Sequence, residues 1–169
     1  MGHMGKEEVI RFLKDGGYEF AMAEHEPVFT MEGMEALGLP FGEEVVKNLF
    51  LRDDKKRNYY LVVMPEDKPA NLKELRSALE ARPLRFASEE DLQTYLGLYA
   101  GAVSPFGVLN DEEATVQVVF DSELETYGGV GVHPNDNTAT LHVKLPDLMS
   151  IIEAHGNPTR FVELSRPEE

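Results

Sequence analysis

Two polar residues, Lys47 and Asn48, interrupt an apolar run and are the first candidates for chemistry. They stand in the stretch VVKNLFL, which is predicted to be a strand. In that register Lys47 shares a face with apolar residues, so its ammonium either reaches water along its stem or has polar partners in a cleft. A cleft lysine can bind a carbonyl or anionic oxygen, or transfer a proton once burial lowers its pKa. Asn48 faces the other way, so a site that uses both requires a departure from ideal strand geometry.

The second candidate is the loop Gly101, Ala102, Val103, Ser104 and Pro105. Glycine permits close approach of a ligand to the backbone, and proline fixes the exit of the loop, so N–H and C=O groups here can face a substrate. The alternative is a simple connecting loop. Ser104 is not predicted to be a nucleophile, because GAVSPFG lacks the G-x-S-x-G spacing of a nucleophile elbow.

The third candidate is His133, at the point where a predicted strand enters the turn PNDNT. Asn and Asp in turns usually bond their own backbone, which accounts for the rest of the turn without a function. A metal site would need His133 together with His25 and His142, but their spacing matches no metal motif. The chain has no cysteine, which excludes thiolate ligands and disulfides. We therefore predict no metal and no cofactor.

A basic cluster follows the first candidate along the chain: Arg52, Lys55, Lys56 and Arg57. The formal net charge is -15, which argues against broad binding of DNA or other nucleic acid, since such affinity comes from Lys and Arg on phosphates. A local patch remains compatible with a few phosphate contacts. It is equally compatible with a solvated hairpin turn.

The elements that must position these residues indicate an α+β fold, a single domain with a mixed, largely antiparallel β-sheet surrounded by helices. The two strands around the charged turn are apolar on both faces, which is typical of strands covered on both sides. The segment GAVSPFGVL is predicted to be a structured loop rather than a helix. The predicted elements in order are a helix from Lys6 to Lys14, a short helix over Met31–Leu37 with Thr30 as N-cap, strands on either side of the turn Asp53–Asn58, helices capped by Asn71 and Ser88, the strand TVQVVF, extended segments around HPNDNT, a helix from Pro146 to His155, and the strand FVEL.

The length of 169 residues fits one domain, which we place at residues 6–165. Residues 1–5 are expected to be a disordered cloning remnant, and residues 166–169 a C-terminal tail. No apolar run approaches the roughly 18 residues of a membrane span. Since the first residues also lack the apolar core of a signal peptide, a cytoplasmic location is expected.

Four motifs in this order resemble the YbaK and prolyl-tRNA-synthetase-associated family: KNLFLRD before a turn and YYLVV, GAVSPFG with VLND, HPNDNTATL, and GNPTRFVEL. The resemblance covers about Lys6 to Leu164 and is strongest to freestanding members related to the insertion editing domain of bacterial prolyl-tRNA synthetases. It implies a single α+β domain that hydrolyses the ester between a wrong amino acid, alanine in the nearest relatives, and tRNA for proline. The implied partners are the acceptor end of aminoacylated tRNA and, as a further candidate, a prolyl-tRNA synthetase.

The resemblance also implies roles for particular residues. Lys47 corresponds to the family's lysine, Asn48 to its neighbouring asparagine, Gly101 through Pro105 to its G-x-x-x-P loop, and His133 to its pocket histidine. We expect pocket walls such as Leu49 or Met64, and phosphate contacts from Arg52, Lys55, Lys56 and Arg57. Three alternatives remain at this stage: a deacylase for cysteine, serine or threonine esters, a non-catalytic module that binds tRNA ends, and a globular domain of unrelated function.

Overall fold

The computed structural model describes residues 4–26, 38 and 44–166, and these form an α+β fold with eight strands. The helices are α1 (Lys6–Asp15), α2 (Leu72–Leu79), α3 (Glu89–Leu96) and α4 (Leu145–His155), with 3-10 helices at Pro105–Asn110 and Ser122–Thr126. The strands are β1 (Phe20–Glu24), β2 (Val46–Asp53), β3 (Tyr59–Pro65), β4 (Leu84–Phe86), β5 (Val116–Asp121), β6 (Val130–Val132), β7 (Ala139–Val143) and β8 (Thr159–Val162).

The strands divide into two sheets. The larger sheet has the order β4-β2-β3-β5-β8, in which β2 is antiparallel to β3 and β4 while the β3-β5 and β5-β8 pairs are parallel. The smaller sheet is antiparallel, with the order β1-β7-β6. A single parallel bridge between Val45 and Gly131 connects them. The predicted α+β class with a mixed sheet is confirmed, and the prediction of one sheet is refined to two.

The hairpin β2-β3 lies between two hydrophobic clusters. Every residue of β3 is buried. One face of the hairpin, with Val46, Phe50 and Val63, packs into the larger cluster, which also includes residues of α1, α4, β6 and β7. The other face, with Leu51 and Met64, packs against α2 in the smaller cluster. Burial of apolar surface on both faces explains why these strands read as continuous apolar runs.

The charged turn of this hairpin is organised by the buried carboxylate of Asp53. Its Oδ1 accepts hydrogen bonds from the backbone N–H of Lys55 at 3.0 Å and of Arg57 at 2.9 Å, and its Oδ2 accepts from the Asn58 amide at 3.0 Å. Burial acts to raise the pKa of Asp53, but these hydrogen bonds outweigh it and hold the pKa below its usual value. The turn is therefore ordered by side-chain hydrogen bonds to the Asp53 carboxylate.

Several predicted helices and strands are confirmed, and one prediction is wrong. Asn71 and Ser88 cap α2 and α3 as predicted. The sequence predicts no helix after Gly101, but a 3-10 helix begins at Pro105 because the fixed φ of proline and the side-chain cap of Ser104 suit a first turn. The strand β4 and the 3-10 helix Ser122–Thr126 are additions to the predicted elements. The helix predicted over Met31–Leu37 lies outside the described residues.

Two of the sequence motifs bind each other within the scaffold. Asn157, from GNPTR, donates its amide to Asp111 Oδ2 at 3.0 Å and to the carbonyl of Val116 at 2.8 Å. Asp111, from VLND, also accepts from the Val116 N–H at 2.8 Å. All three groups are buried. These motif residues therefore fix the start of β5 against the end of α4, and they do so away from the candidate residues for chemistry.

A buried ion pair fastens the chain after β3 to the C-terminal segment. The Lys68 ammonium lies 2.7 Å from Asp121 Oδ2, 3.2 Å from Glu123 Oε1 and 2.8 Å from the Leu164 carbonyl oxygen. Lys68 and Asp121 are each 1% exposed. Removal of one partner of such a pair leaves an uncompensated buried charge. None of the helices in the described part of the chain is long and apolar enough to span a membrane.

We expect the substitution Lys68→Met to lower the free energy of unfolding by about 3–5 kcal/mol, because it leaves the Asp121 carboxylate buried without a cation. Urea denaturation followed by circular dichroism measures this effect. The control is Lys73→Met, at an exposed position of α2, which should change stability by less than about 0.5 kcal/mol. Equal destabilisation of the two variants would contradict the role given to the pair.

Candidate functional site

The candidate residues of the first and third motifs meet where the two sheets join. The parallel bridge pairs Val45, which precedes β2, with Gly131 in the middle of β6. Because both strands run the same way from the bridge, β2 continues to Lys47 and Asn48 while β6 continues to His133. The topology therefore brings two candidates that are far apart in sequence to the same end of the molecule.

The second motif is fastened to the same place through Ser104. The buried Ser104 hydroxyl donates to the His133 carbonyl oxygen at 2.5 Å and accepts from the Phe106 N–H at 3.2 Å. Gly101 has φ +95°, which favours glycine there, and the following Ala102 N–H donates to the Tyr99 carbonyl oxygen at 3.1 Å. The hydroxyl of Ser104 is thus used to hold the loop, in agreement with the expectation that it is not a nucleophile.

His133 is held in one tautomer by the backbone. Its Nδ1 lies 2.8 Å from the carbonyl oxygen of Ala139, which can only accept, so Nδ1 carries the proton. Burial lowers the pKa of His133 below its usual value. The Ala139 carbonyl opposes that shift, His25 adds to it, and Asp136 opposes it. A neutral His133 then presents Nε2 as a hydrogen-bond acceptor.

Asn48 carries a polar atom that the described residues do not satisfy. Its Oδ1 is buried and has no hydrogen-bond partner within the described part of the chain. The side chain lies on the same face of β2 as Val46 and Phe50, toward the larger cluster. A buried oxygen without a partner costs free energy, so Asn48 Oδ1 is a candidate acceptor for a hydrogen bond from outside the described residues.

Within the described part of the chain, no strand pairs with the outer edge of β2 at Asn48. Pairing with β4 covers Leu51 to Asp53 only, and the Phe50 carbonyl oxygen accepts from the Ala87 N–H at 2.9 Å. Alternate residues of an antiparallel strand point their N–H and C=O groups to the same edge, so those of Asn48 point outward like those of Phe50. This interval between β4 and the bridge at Val45 offers main-chain groups to a ligand.

Lys47 lies on the opposite face, because β2 pairs with β3 in unbroken register from Val46 to Arg52. No departure from strand geometry turns Lys47 and Asn48 to one side, so a single ligand meets both only by approaching the strand edge. Lys47 is half-buried opposite Met64, and burial lowers the pKa of its ammonium while the carboxylates of Asp67 and Glu66 oppose that shift.

The two predicted pocket walls occur on the Lys47 face. Met64 is fully buried and Leu49 is half-buried, and both belong to the smaller hydrophobic cluster. They lie across the strand from Asn48 and do not share its side of the sheet. Their assignment as pocket walls stays a prediction.

The basic cluster lies at the far end of the hairpin from the site. Lys47 precedes Asp53 by six strand positions, a separation of about 20 Å at about 3.3 Å per residue. Arg52 is half-buried and donates to the Asp53 carbonyl oxygen at 2.9 Å. The other three basic side chains, on Lys55, Lys56 and Arg57, are exposed in the turn. The basic residues are therefore close to Lys47 in sequence but do not contact it in the structure.

Two further arginines that sequence reasoning missed extend this basic surface. Arg85 of β4 pairs directly opposite Arg52 and is exposed. Arg82 lies just before β4 and forms a salt bridge with Asp54 at 2.7 Å. The sequence signal is weak because the strand β4 has three residues, and only its pairing with β2 brings residues 82–86 beside the turn.

His25 is a second residue whose position the sequence does not reveal. The sequence presents it only as a possible metal ligand, and within the described ranges no group of three or more His, Cys, Asp or Glu side chains is arranged to hold a metal ion. Its ring instead packs against that of His133, with centroids 6.3 Å apart. Pairing of β1 with β7 creates this contact.

Comparison with known proteins gives consistent matches over nearly the whole chain. Residues 25–151 match the aminoacyl-tRNA editing domain family. The prolyl-tRNA editing protein ProX of Acetoanaerobium sticklandii is 48% identical over 159 residues, covering 94% of this chain and 97% of that protein. The prolyl-tRNA synthetase associated domain-containing protein 1 of Danio rerio is 38% identical, covering 88% and 81%. A crystal structure of a protein proposed to be a trans-editing enzyme for prolyl tRNA synthetase superposes with a TM-score of 0.70 at 20% identity, covering 95% and 98%.

We expect Asn48→Leu to raise the free energy of unfolding by about 1 kcal/mol, because it removes a buried oxygen that has no partner within the described residues. The matched control is Asn157→Leu, which deletes an amide with two buried hydrogen bonds and should lower stability by about 2 kcal/mol. Urea denaturation measures both. A destabilised Asn48→Leu protein would show that Asn48 serves the fold rather than a ligand.

Proposed function

Because the chain belongs to the aminoacyl-tRNA editing domain family, we propose that it is a deacylase acting in trans, which hydrolyses the ester of alanine mischarged onto tRNA for proline. The observation that supports this proposal is that the Val45–Gly131 bridge and the hydrogen bond from Ser104 to His133 link the strand with Asn48, the Gly101–Pro105 loop and His133. The 48% identity to a prolyl-tRNA editing protein over nearly the full length of both chains supports the choice of tRNA.

Such an activity answers a physical limit on the synthetase. A pocket built for proline cannot strongly exclude the smaller alanine, because each missing methylene contributes only about 1–3 kcal/mol of discrimination. A second site that admits alanine and sterically rejects proline supplies the remaining selectivity.

The polar groups of the site match the parts of an aminoacyl ester. Asn48 Oδ1 and the neutral Nε2 of His133 are acceptors, and they suit the donors of the substrate, namely its ammonium and a ribose hydroxyl. Main-chain N–H groups of the loop and of the β2 edge suit the ester carbonyl oxygen, where negative charge develops. Lys47 adds a cation at the same edge.

The site favours direct attack by water. The chain has no cysteine, and the Ser104 hydroxyl is committed to the His133 carbonyl and the Phe106 N–H. Water forms a bond to the ester carbonyl carbon, the bond from that carbon to the ribose oxygen breaks, and the ribose oxygen takes the water's proton. The proton passes through a substrate group, such as the neighbouring ribose hydroxyl or the amine. Positioning and stabilisation of the oxyanion then supply most of the rate.

The acidic chain needs only a local surface to hold the nucleic acid. The cluster Arg52, Lys55, Lys56 and Arg57 lies about 20 Å from Lys47 along the hairpin, and an acceptor stem that enters the site along β2 reaches it. A few phosphate contacts of this kind give weak, salt-sensitive binding. Selection of tRNA for proline can then be shared with a prolyl-tRNA synthetase as partner.

We expect Lys47→Ala to slow the deacylation of alanyl-tRNA for proline by about 100- to 1,000-fold, the effect typical of removing one group that stabilises the oxyanion. Hydrolysis of the ester under single-turnover conditions measures it, with circular dichroism to show that the fold is intact. Lys73→Ala, an exposed lysine on α2, is the control and should keep the parent rate. Normal turnover by folded Lys47→Ala protein would remove Lys47 from the mechanism.

The same assay identifies the amino acid. Alanyl ester should be hydrolysed rapidly while the prolyl ester is spared, because the site admits only the smaller side chain. Preferred hydrolysis of the cysteinyl, seryl or threonyl ester would keep the chemistry and reject alanine as substrate. Absence of hydrolysis with all of these esters would favour a module that binds tRNA ends.

We expect the combined substitution of Lys55, Lys56 and Arg57 by Gln to weaken tRNA binding and leave the single-turnover rate at saturation unchanged. The slope of log Kd against log salt should fall by about 0.7–0.9 for each phosphate that the variant no longer neutralises. Filter binding across a salt series measures the slope, with the exposed Arg11→Gln and Lys14→Gln pair on α1 as control. Salt-independent binding by the parent protein would contradict the basic surface.

A further inference from the structure

We propose that His25 is a positioning residue of the site, which fixes the orientation of the His133 ring, while the Ala139 carbonyl oxygen sets the tautomer that leaves Nε2 as an acceptor. The two rings are in edge contact, with centroids 6.3 Å apart and planes at 60°. The effect on hydrolysis rests on the proposed function, whereas the effect on His133 itself does not. His25 is not required to touch the substrate for this role.

The ring of His25 is itself held at both nitrogens. Its Nδ1 lies 2.8 Å from the carbonyl oxygen of Glu26, so Nδ1 is the donor. Its Nε2 then accepts from the Thr140 hydroxyl at 2.8 Å. The backbone N–H of His25 also donates to the Thr138 carbonyl oxygen at 2.9 Å, which continues the pairing of β1 with β7. His25 is therefore a rigid neighbour and not a mobile surface side chain.

Consecutive residues of β7 hold the two histidines. The Ala139 carbonyl oxygen accepts from His133, and the hydroxyl of Thr140, the next residue, donates to His25. Ala139 and Thr140 are both fully buried, so this part of β7 is a fixed frame. These two hydrogen bonds from β7 set the orientation of the His25 ring relative to the His133 ring. The hydroxyl that holds His25 is that of the fully buried Thr140.

The contact also opposes a second proton. His25 lowers the pKa of His133, because its ring disfavours a positive charge on the neighbouring imidazole. Asp136 acts on His133 in the opposite sense. A salt bridge of 3.7 Å between Lys6 and Glu24 lies on the neighbouring elements. Among the described residues, Asp136 is the carboxylate that acts on His133, and Lys6 in turn acts on Asp136. With His25 in place, His133 stays an acceptor toward more acidic pH.

The test follows His133 directly by nitrogen NMR in the full-length protein. We compare the parent with His25→Gln, with Thr140→Val, which keeps both imidazoles but releases His25, and with His155→Gln, a remote histidine at the end of α4. We expect His25→Gln to raise the pKa of His133 and to broaden the ring-nitrogen signals of His133, because its ring is held less firmly. Thr140→Val should broaden the same signals. The His155→Gln control should match the parent.

The same variants are assayed for deacylation of alanyl-tRNA for proline against pH. His25→Gln should lose activity at about pH 6 and approach the parent at about pH 8, because a protonated Nε2 cannot accept a hydrogen bond. Unchanged pKa and ring-nitrogen signals of His133 in both His25→Gln and Thr140→Val would overturn the inference and leave the proposed function standing. A shifted His133 with an unchanged activity profile would support the positioning role and refute the use of His133 in hydrolysis.

Discussion

The unbroken pairing of β2 with β3 is the constraint on which the rest of the site depends. It directs Lys47 to one side of the sheet and Asn48 to the other, with no bulge between them. Each face is committed to its own hydrophobic cluster, so a slip by one residue would exchange every buried side chain with its neighbour. The two polar residues can share a ligand only across the strand edge, and among the described strands β4 is too short to cover the edge at that point.

The remaining parts of the site are attached to this edge by main-chain groups. The loop is joined to His133 through a backbone carbonyl, and His133 is joined to β7 through another. Backbone acceptors do not depend on the identity of the side chain that carries them, so such links hold geometry while the surrounding side chains vary. Rigid main-chain contacts of this kind position a small polar substrate well, because little ordering is left to occur on binding.

Much of the fold follows from local signals in the sequence. Caps such as Asn71 and Ser88, the apolar runs around the charged turn, and the glycine after α4 each depend on residues a few positions apart. The fold class and the three candidate stretches can also be predicted from such local signals, and the family resemblance suggests the roles of their residues. The segment after Gly101 is the exception, because its 3-10 helix depends on a proline and a cap together.

The features that the sequence does not reveal depend on pairing between distant segments. His25 becomes a neighbour of His133 only through the pairing of β1 with β7, and Arg85 joins Arg52 only through β4. Burial of the Lys68 ammonium requires Asp121 and the carbonyl oxygen of Leu164, which lie more than 50 residues further along the chain. The motifs VLND and GNPTR likewise bind each other in the scaffold.

The attachment of the N-terminal segment sets an order for biosynthesis. Val9 and Leu13 of α1 pack into the larger hydrophobic cluster, most of whose residues follow β2 in the chain. A ribosome must therefore make most of the chain before the first helix can pack, whereas the hairpin β2-β3 closes through local contacts as soon as it emerges.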